Sequence, residues 1–363
     1  MNAELIEALN QIEKEKNISK ETLLEAIENS LIAACKNNYG KADNIKVIIN
    51  RDNGDVKVYA EKTIVEEVVD PVMEIGLVEA QLKFPNTSLG DVVNIEVTPK
   101  NFGRIAAQKA KQVVVQKIRE EERKVLFDEY YSKEKEVVTG VVQRLSGNNI
   151  CVNLGKIDAL LTENEQVKGE TYKPNDRIKL YVSEVRNTTK GPRLTVTRKH
   201  PELVKRLFEA EVAEIKEGIV VIKNVAREAG SRTKMSVYSK DADVDPVGAC
   251  VGMNGTRVAA VVAELNNEKI DIISWSEDPA VLIEHALSPA KVVSVEAYPD
   301  TKTAKVVVPD YQLSLAIGRA GQNARLAARL TGYKIDIKSE SQAEELKNQA
   351  ETVAETVEET VEE

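Results

Sequence analysis

Two pairs of glycines with the same spacing lie in the carboxyl-terminal half of this chain. The loops read Gly252-Met253-Asn254-Gly255 and Gly318-Arg319-Ala320-Gly321. Each pair interrupts an apolar helical run, where a glycine costs about 1 kcal/mol relative to alanine. Because glycine has no Cβ, a phosphate can approach its backbone, and the unpaired amides at the start of the next helix attract negative charge. The spacing therefore predicts two phosphate-binding loops.

The side chains behind the two loops differ in charge. After the second loop come Gln322, Asn323, Arg325 and Arg329, and the two arginines are four residues apart on one helical face. After the first loop comes only Arg257, and the loop itself is neutral. We expect the second loop to attract phosphates more strongly, with the first relying on backbone amides and Arg257. The alternative, that both loops are tight turns that bind nothing, stays open.

Each loop occupies the same place in an internal repeat. Residues 250–273 match residues 316–339, and each copy predicts a short helix, the loop, a second helix and a strand. The predicted elements are 246–251, 256–265 and 269–273 in the first copy, and 311–317, 322–330 and 334–338 in the second. This order resembles the KH domain, whose glycine loop clamps the backbone of about four nucleotides.

The region before the repeat predicts a small barrel. Between residues 137 and 199, five short alternating runs are separated by glycines and Pro174. Their order resembles the S-one-type RNA-binding domain, a variant of the OB fold. The run Asn148–Leu154 lacks the aromatics on which such barrels stack bases. Arg186, Lys190 and Arg193 are candidate phosphate contacts, and the alternative is an ordinary solvated loop.

The amino-terminal region predicts an α/β domain. Two amphipathic helices precede residue 40, and Gly40 is expected to end the second. Asn53-Gly54 predicts a hairpin between alternating strands, and another strand is expected over residues 91–98. Residues 101–131 predict one long helix.

Charge and composition exclude several classes. The net charge of −9 is concentrated in Glu340–Glu363, which carries nine Glu and one Lys, so the rest of the chain is nearly neutral. That acidic tail is expected to be disordered and to aid solubility, or alternatively to compete with RNA. No apolar run is long enough to cross a membrane, which predicts a cytoplasmic protein. The three cysteines are expected to be buried, and neither they nor the two histidines suggest a metal site or a catalytic group.

The chain resembles the NusA family of bacterial transcription termination and antitermination factors. The resemblance rests on "NFGRIAAQKAKQVVVQKIREEER", "RKHPELVKRLFEAEVAEIKEG" and "KNVAREAGSRTKMSVYSKDADVDPVGACVGMNGTRV". It implies a multidomain α+β protein in this order: an RNA polymerase-binding domain with its long connecting helix (1–134), an S-one-type OB-fold barrel (135–200), two tandem KH domains (201–280 and 281–345) and an acidic disordered tail (346–363).

The resemblance also implies partners. These are the RNA polymerase core and nascent single-stranded RNA, with other elongation or antitermination factors as further candidates. The implied protein is a monomer without cofactor or metal that modulates pausing, intrinsic termination and antitermination. Two other classes share these modules: phosphorolytic exoribonucleases, for which residues 1–134 are too few, and ribosome- or RNA-processing-associated binders. Whether the amino-terminal domain binds polymerase or ribosomal subunits would distinguish a NusA-type transcription factor from a ribosome- or RNA-processing-associated binder.

Overall fold

The computed structural model describes residues 2–16, 18–39, 44–98, 102–345 and 348. It divides into two compact units, residues 1–126 and 127–363, which are described separately. The expected end of the second helix at Gly40 lies outside the described residues, and so does the acidic tail from residue 346, apart from residue 348. The disorder expected from Glu340 onward is wrong for residues 340–345, which are helical.

The first unit combines helices with a four-stranded sheet. Its elements are α1 (Asn2–Lys16), α2 (Lys20–Tyr39), β1 (Ile45–Ile49), β2 (Val56–Val65), β3 (Glu74–Gly76), α3 (Leu77–Lys83), β4 (Val92–Glu96) and most of α4 (Phe102–Tyr131). β2 pairs with the other three strands, antiparallel with β1 and β4 and parallel with β3. The predicted hairpin, strand and long helix are all present.

The barrel is the first part of the second unit. Its strands are β5 (Val137–Ser146), β6 (Asn149–Asn153), β7 (Asp158–Leu161), β8 (Arg177–Thr188) and β9 (Gly191–Thr197). They close in the order β5-β6-β7-β9-β8, which confirms the five-stranded barrel. Alternate residues of β6 point inward, so Ile150 and Val152 are buried. Cys151 between them is half-buried, and its expected burial is wrong for that reason, whereas Cys35 and Cys250 are buried.

The two KH copies have matching topologies. The first contains α5 (Pro201–Glu211), α6 (Ala213–Lys216), β10 (Val220–Glu228), β11 (Arg232–Ser239), α7 (Pro246–Val251), α8 (Thr256–Glu264) and β12 (Lys269–Ser274). The second contains α9 (Pro279–Ala286), β13 (Ser294–Tyr298), β14 (Thr303–Val308), α10 (Leu313–Ile317), α11 (Gln322–Thr331) and β15 (Lys334–Ser339). In each copy the first two strands are antiparallel and the last two are parallel. The predicted duplication is confirmed.

The barrel and both copies are packed together. Tyr181 of the barrel belongs to the core of the first copy, and Ala226 and Ile273 of the first copy belong to the core of the second. The Asn224 amide also donates a hydrogen bond of 3.1 Å to the carbonyl of Leu330. These shared cores fix where the two glycine loops lie relative to each other.

Candidate nucleic-acid interface

The two glycine loops have nearly identical backbones. Gly252 has φ 76° and ψ 170°, and Gly318 has φ 74° and ψ 173°. Only glycine adopts this region at low cost. The second glycines, Gly255 and Gly321, are in the left-handed helical region with ψ near 16° and 17°. Both loops therefore make the same turn from one helix into the next.

Packing also requires glycine at the first position of each loop. A Cβ on Gly318 would lie 2.9 Å from both the backbone N and the Cβ of Asn323, and one on Gly252 would lie 2.7 Å from Cγ of Arg257. At the second position the space is more open: a Cβ on Gly255 would meet nothing closer than 3.9 Å, and one on Gly321 would lie 3.3 Å from Nη1 of Arg325. The first glycine lets the following helix approach the loop.

The helices after the loops start without side-chain caps. Gly255 and Gly321 are the N-cap residues of α8 and α11 and have no side chain that could accept from the helical amides. The first of these amides, on Thr256 and Gln322, donate instead to the carbonyls of Met253 and Arg319. Amides left free at a helix start are a site for an anion, with the helix dipole adding attraction. In both loops the residues between the glycines are exposed: Met253, Asn254, Arg319 and Ala320. A phosphate can therefore reach these loops from solvent.

The predicted cations of the second loop divide into two kinds. Arg319 and Arg329 are exposed, and among the described residues neither forms an ion pair within 4 Å. Arg325 is paired instead: its Nε donates to Glu228 Oε1 at 3.0 Å, and its Nη1 donates to the carbonyl of Ala320. Arg325 thus holds the loop, and a phosphate must compete with Glu228 for its charge.

Gln322 is engaged with the same carboxylate. Its Nε2 donates to Glu228 Oε2 at 2.8 Å and to Ser231 Oγ at 2.7 Å. The hydrogen bonds from Arg325 and Gln322 lower the pKa of the Glu228 carboxyl. The hairpin between β10 and β11 of the first copy is therefore part of the second loop's surroundings.

Asn323 requires a correction. Its side chain is only 3% exposed, and its Nδ2 donates to the carbonyls of Leu287 at 3.0 Å and Ala316 at 3.1 Å. An amide used in this way cannot contact RNA, so the side chain anchors the loop rather than binding a phosphate. The sequence shows that this residue is polar, but it does not predict that α9 and α10 bury it.

The first loop has less free charge. Arg257 is half-buried, and its Nη1 donates to Glu214 Oε2 at 2.9 Å and to the carbonyl of Ala249 at 2.6 Å. The exposed residues Met253 and Asn254 carry no charge. The arginine of this loop is neutralised by an ion pair, and the amides of Gly255 and Thr256 donate to the carbonyls of Gly252 and Met253.

The barrel brings its three candidate residues to one hairpin. Arg186 in β8 and Arg193 in β9 are register partners, and Lys190 lies in the turn between these strands. All three are exposed, and Arg186 is paired with Glu184 at 2.7 Å. Tyr181 is buried and stacks on His200 with ring centroids 4.9 Å apart. The hairpin formed by β8 and β9 therefore presents positive charge.

Sequence reasoning missed Glu228 and Ser231. They are 94 and 91 residues from Gln322 in the chain, and their contacts arise from the way in which the two copies pack. The internal repeat is the one signal that could have indicated such packing, and it does not specify which residues meet.

Four family profiles match successive parts of the chain. They are the NusA N-terminal domain at residues 4–124, the S1 RNA binding domain at 131–197, and the NusA-like first and second KH domains at 198–275 and 279–345. The transcription termination/antitermination protein NusA of Bacillus subtilis is 57% identical over 341 residues, which cover 94% of this chain and 92% of that protein. The chain belongs to the NusA family.

Other NusA proteins agree over a similar span. That of Halalkalibacterium halodurans is 56% identical, covering 94% of this chain and 89% of the relative. That of Thermus thermophilus is 42% identical, covering 92% of this chain and 89% of the relative. The family match thus extends over all four folded modules.

In the described ranges, no group of three or more His, Cys, Asp or Glu side chains is arranged to hold a metal ion. No helix among the described residues is long and apolar enough to span a bilayer.

Proposed function

We propose that this NusA-family chain binds the RNA polymerase core and nascent single-stranded RNA, and so modulates pausing, intrinsic termination and antitermination. In this proposal residues 1–134 bind polymerase, and the barrel (135–200) with the KH domains (201–280 and 281–345) binds RNA. The chain acts in the cytoplasm as a monomer and without a catalytic step. The acidic segment 346–363 has no assigned contact.

The matched geometry of the two glycine loops carries this proposal. Both loops expose two residues between left-handed glycines and lead into uncapped helices of nine and ten residues. Held by shared cores, the loops offer two backbone sites that can act on one RNA strand. The stronger site consists of Gly318, Arg319, Ala320, Gly321 and Arg329, with Gln322 and Arg325 beside them. The weaker site consists of Gly252, Met253, Asn254, Gly255 and Arg257. An auxiliary site in the barrel consists of Arg186, Lys190 and Arg193.

A double substitution at the second loop tests RNA binding. Arg319→Asp with Ala320→Asp removes one attractive charge and adds two repulsive ones, while both glycines and therefore the turn are kept. We expect affinity for single-stranded RNA to fall about tenfold, or 1.4 kcal/mol, with a shallower salt dependence. Fluorescence anisotropy of labelled RNA measures both.

The matched change at the first loop is Met253→Asp with Asn254→Asp. It adds the same repulsion but removes no cation, so we expect a smaller loss. Circular dichroism shows whether each variant is folded. If the second-loop variant is folded and its RNA affinity is unchanged, the loop does not bind phosphate and its glycines serve only to form the turn.

Polymerase binding is tested with the full chain carrying both aspartate pairs. We expect it to retain the polymerase core in a pull-down, because the changes lie outside residues 1–134. Recovery of ribosomal subunits without polymerase would instead favour the ribosome-associated class.

A further inference from the structure

One end of the first KH sheet carries two aromatic rings and a lysine, which we call the Trp275 cluster. Lys223 comes from β10, Tyr238 from β11, and Trp275 directly follows β12. The Tyr238 and Trp275 rings meet edge to face with centroids 5.6 Å apart. The Lys223 Nζ lies 4.5 Å from the Trp275 ring centroid and 5.3 Å from that of Tyr238.

The cluster is accessible and carries an uncompensated charge. Tyr238 is 40% exposed, Lys223 is exposed, and Trp275 is half-buried against the core of the second copy. Within the described part of the chain, no carboxylate forms an ion pair with Lys223. Aromatic residues are only 4% of this chain, and Trp275 is its single tryptophan. Neither of the two glycine loops nor the cationic barrel hairpin includes an aromatic residue.

We propose that the Trp275 cluster is an additional RNA contact, which stacks a base on Tyr238 and Trp275 and binds the adjacent phosphate through Lys223. Aromatic faces accept any base, and a nearby cation both attracts the backbone and strengthens contact with the rings. The inference rests on the proposed RNA binding and adds the stacking that the loops and the barrel hairpin do not supply.

The surroundings favour a nucleic acid over a protein partner. Protein interfaces centre on a contiguous apolar patch with a polar rim. Here the neighbouring positions are polar, with Asn224 beside Lys223, Ser239 after Tyr238, and Ser276 and Glu277 after Trp275. Two rings and one unpaired cation suit a single nucleotide.

The single tryptophan makes the test direct. The full chain is titrated with an oligoadenylate of about 12 nucleotides, a length that covers several contacts of this kind. Emission from Trp275 is recorded together with the anisotropy of the labelled RNA. We expect binding to quench the emission, with the same midpoint as the anisotropy change.

Two variants and one control separate the contributions. Tyr238→Leu removes the ring while keeping an apolar side chain, and Lys223→Gln removes the charge without entering the core. We expect each to weaken RNA binding about fivefold, and Lys223→Gln to reduce the salt slope by about one phosphate contact. The control is Tyr131→Leu, an exposed ring that stacks on Phe127 with centroids 5.5 Å apart and should leave affinity unchanged.

The outcomes distinguish this inference from the proposed function. If RNA binds, remains sensitive to the Arg319→Asp and Ala320→Asp pair, and leaves Trp275 emission and both variants unchanged, the cluster is not an RNA contact and the loops remain one. If emission responds to polymerase but not to RNA, the cluster is a protein contact and the inference is wrong. If the wild-type chain binds no RNA, both proposals are overturned.

Discussion

At the scale of single residues, one buried ion pair lies inside the first KH copy, where that copy meets the end of the barrel. The side chains of Arg227 and Glu268 are 1% and 0% exposed, and they form two parallel hydrogen bonds of 2.8 and 2.9 Å. Arg227 also donates to the carbonyls of Arg198 and His200, which follow the last barrel strand. Each charge is compensated only while the other is present.

Removing the negative partner should therefore be costly. Glu268→Gln keeps the shape of the side chain but leaves the guanidinium of Arg227 buried without a counter-charge. We expect a loss of about 3 to 5 kcal/mol in the free energy of unfolding, the range for breaking a buried pair. Urea unfolding at pH 7 measures it. A loss below about 1 kcal/mol would mean that water or another carboxylate compensates Arg227.

The same pair predicts a dependence on pH. Burial opposes the charge of Glu268, but the hydrogen bonds and charge of Arg227 outweigh it and lower the pKa of the carboxyl. A carboxyl with a lowered folded pKa contributes stability above its unfolded pKa, about 4.3, and loses it as the pH falls through the folded value. The gap in unfolding free energy between wild type and Glu268→Gln should therefore narrow in acid. A constant gap from pH 7 to pH 3 would contradict this assignment.

At the scale of elements, the glycine loops and the helix ends use glycine for different reasons. Gly318 has ψ 173°, in the region open almost only to glycine, and a Cβ there would meet Asn323. Gly332, which ends α11, has φ 76° and ψ 14°, and a Cβ there would meet nothing within 4 Å. Gly332 is thus a matched control for Gly318 in the same copy.

Alanine at these two positions should give different losses. For Gly332→Ala we expect about 1 kcal/mol, the cost of a left-handed alanine. For Gly318→Ala we expect about 3 kcal/mol, because the backbone region is worse and the new methyl group collides with α11. Urea midpoints of the two full-length variants give the comparison. Equal losses would show that the loop relaxes and that packing against Asn323 does not fix it.

These elements show what the sequence can and cannot predict. The hairpin at Asn53-Gly54, the five barrel strands and the repeated helix-loop-helix units follow from local turn chemistry and periodicity, which tertiary contacts here reinforce. The pairing of Arg325 with Glu228 and the burial of Asn323 depend on how α11 packs against elements distant in the chain. The local sequence pattern therefore predicts where the loops lie, but the burial and pairing of their side chains depend on the tertiary packing.

At the scale of the whole molecule, the barrel and the two KH copies belong to one compact unit. The shared core between the copies cannot be opened without exposing apolar side chains such as Ala226 and Ile273, which are 4% and 5% exposed. Lys234 strengthens the contact, since its fully buried Nζ donates to Asp271 Oδ2 at 3.1 Å and to the carbonyl of Ser288 at 2.7 Å. The distance between the two glycine loops is consequently fixed by packing.

This rigidity is the basis of the last prediction. In the full chain, backbone amides of residues 220–274 and 294–339 should report one rotational correlation time in NMR relaxation. Ala226→Glu places a carboxylate in the shared core and should make the two copies tumble separately, whereas Val293→Glu, at a position 54% exposed, should not.

RNA long enough to reach both loops should then bind Ala226→Glu more weakly, because the second contact no longer benefits from a fixed effective concentration. RNA that reaches only one loop should bind as it does to wild type. Two correlation times in the wild-type chain would contradict the single body and the coupled binding that depends on it.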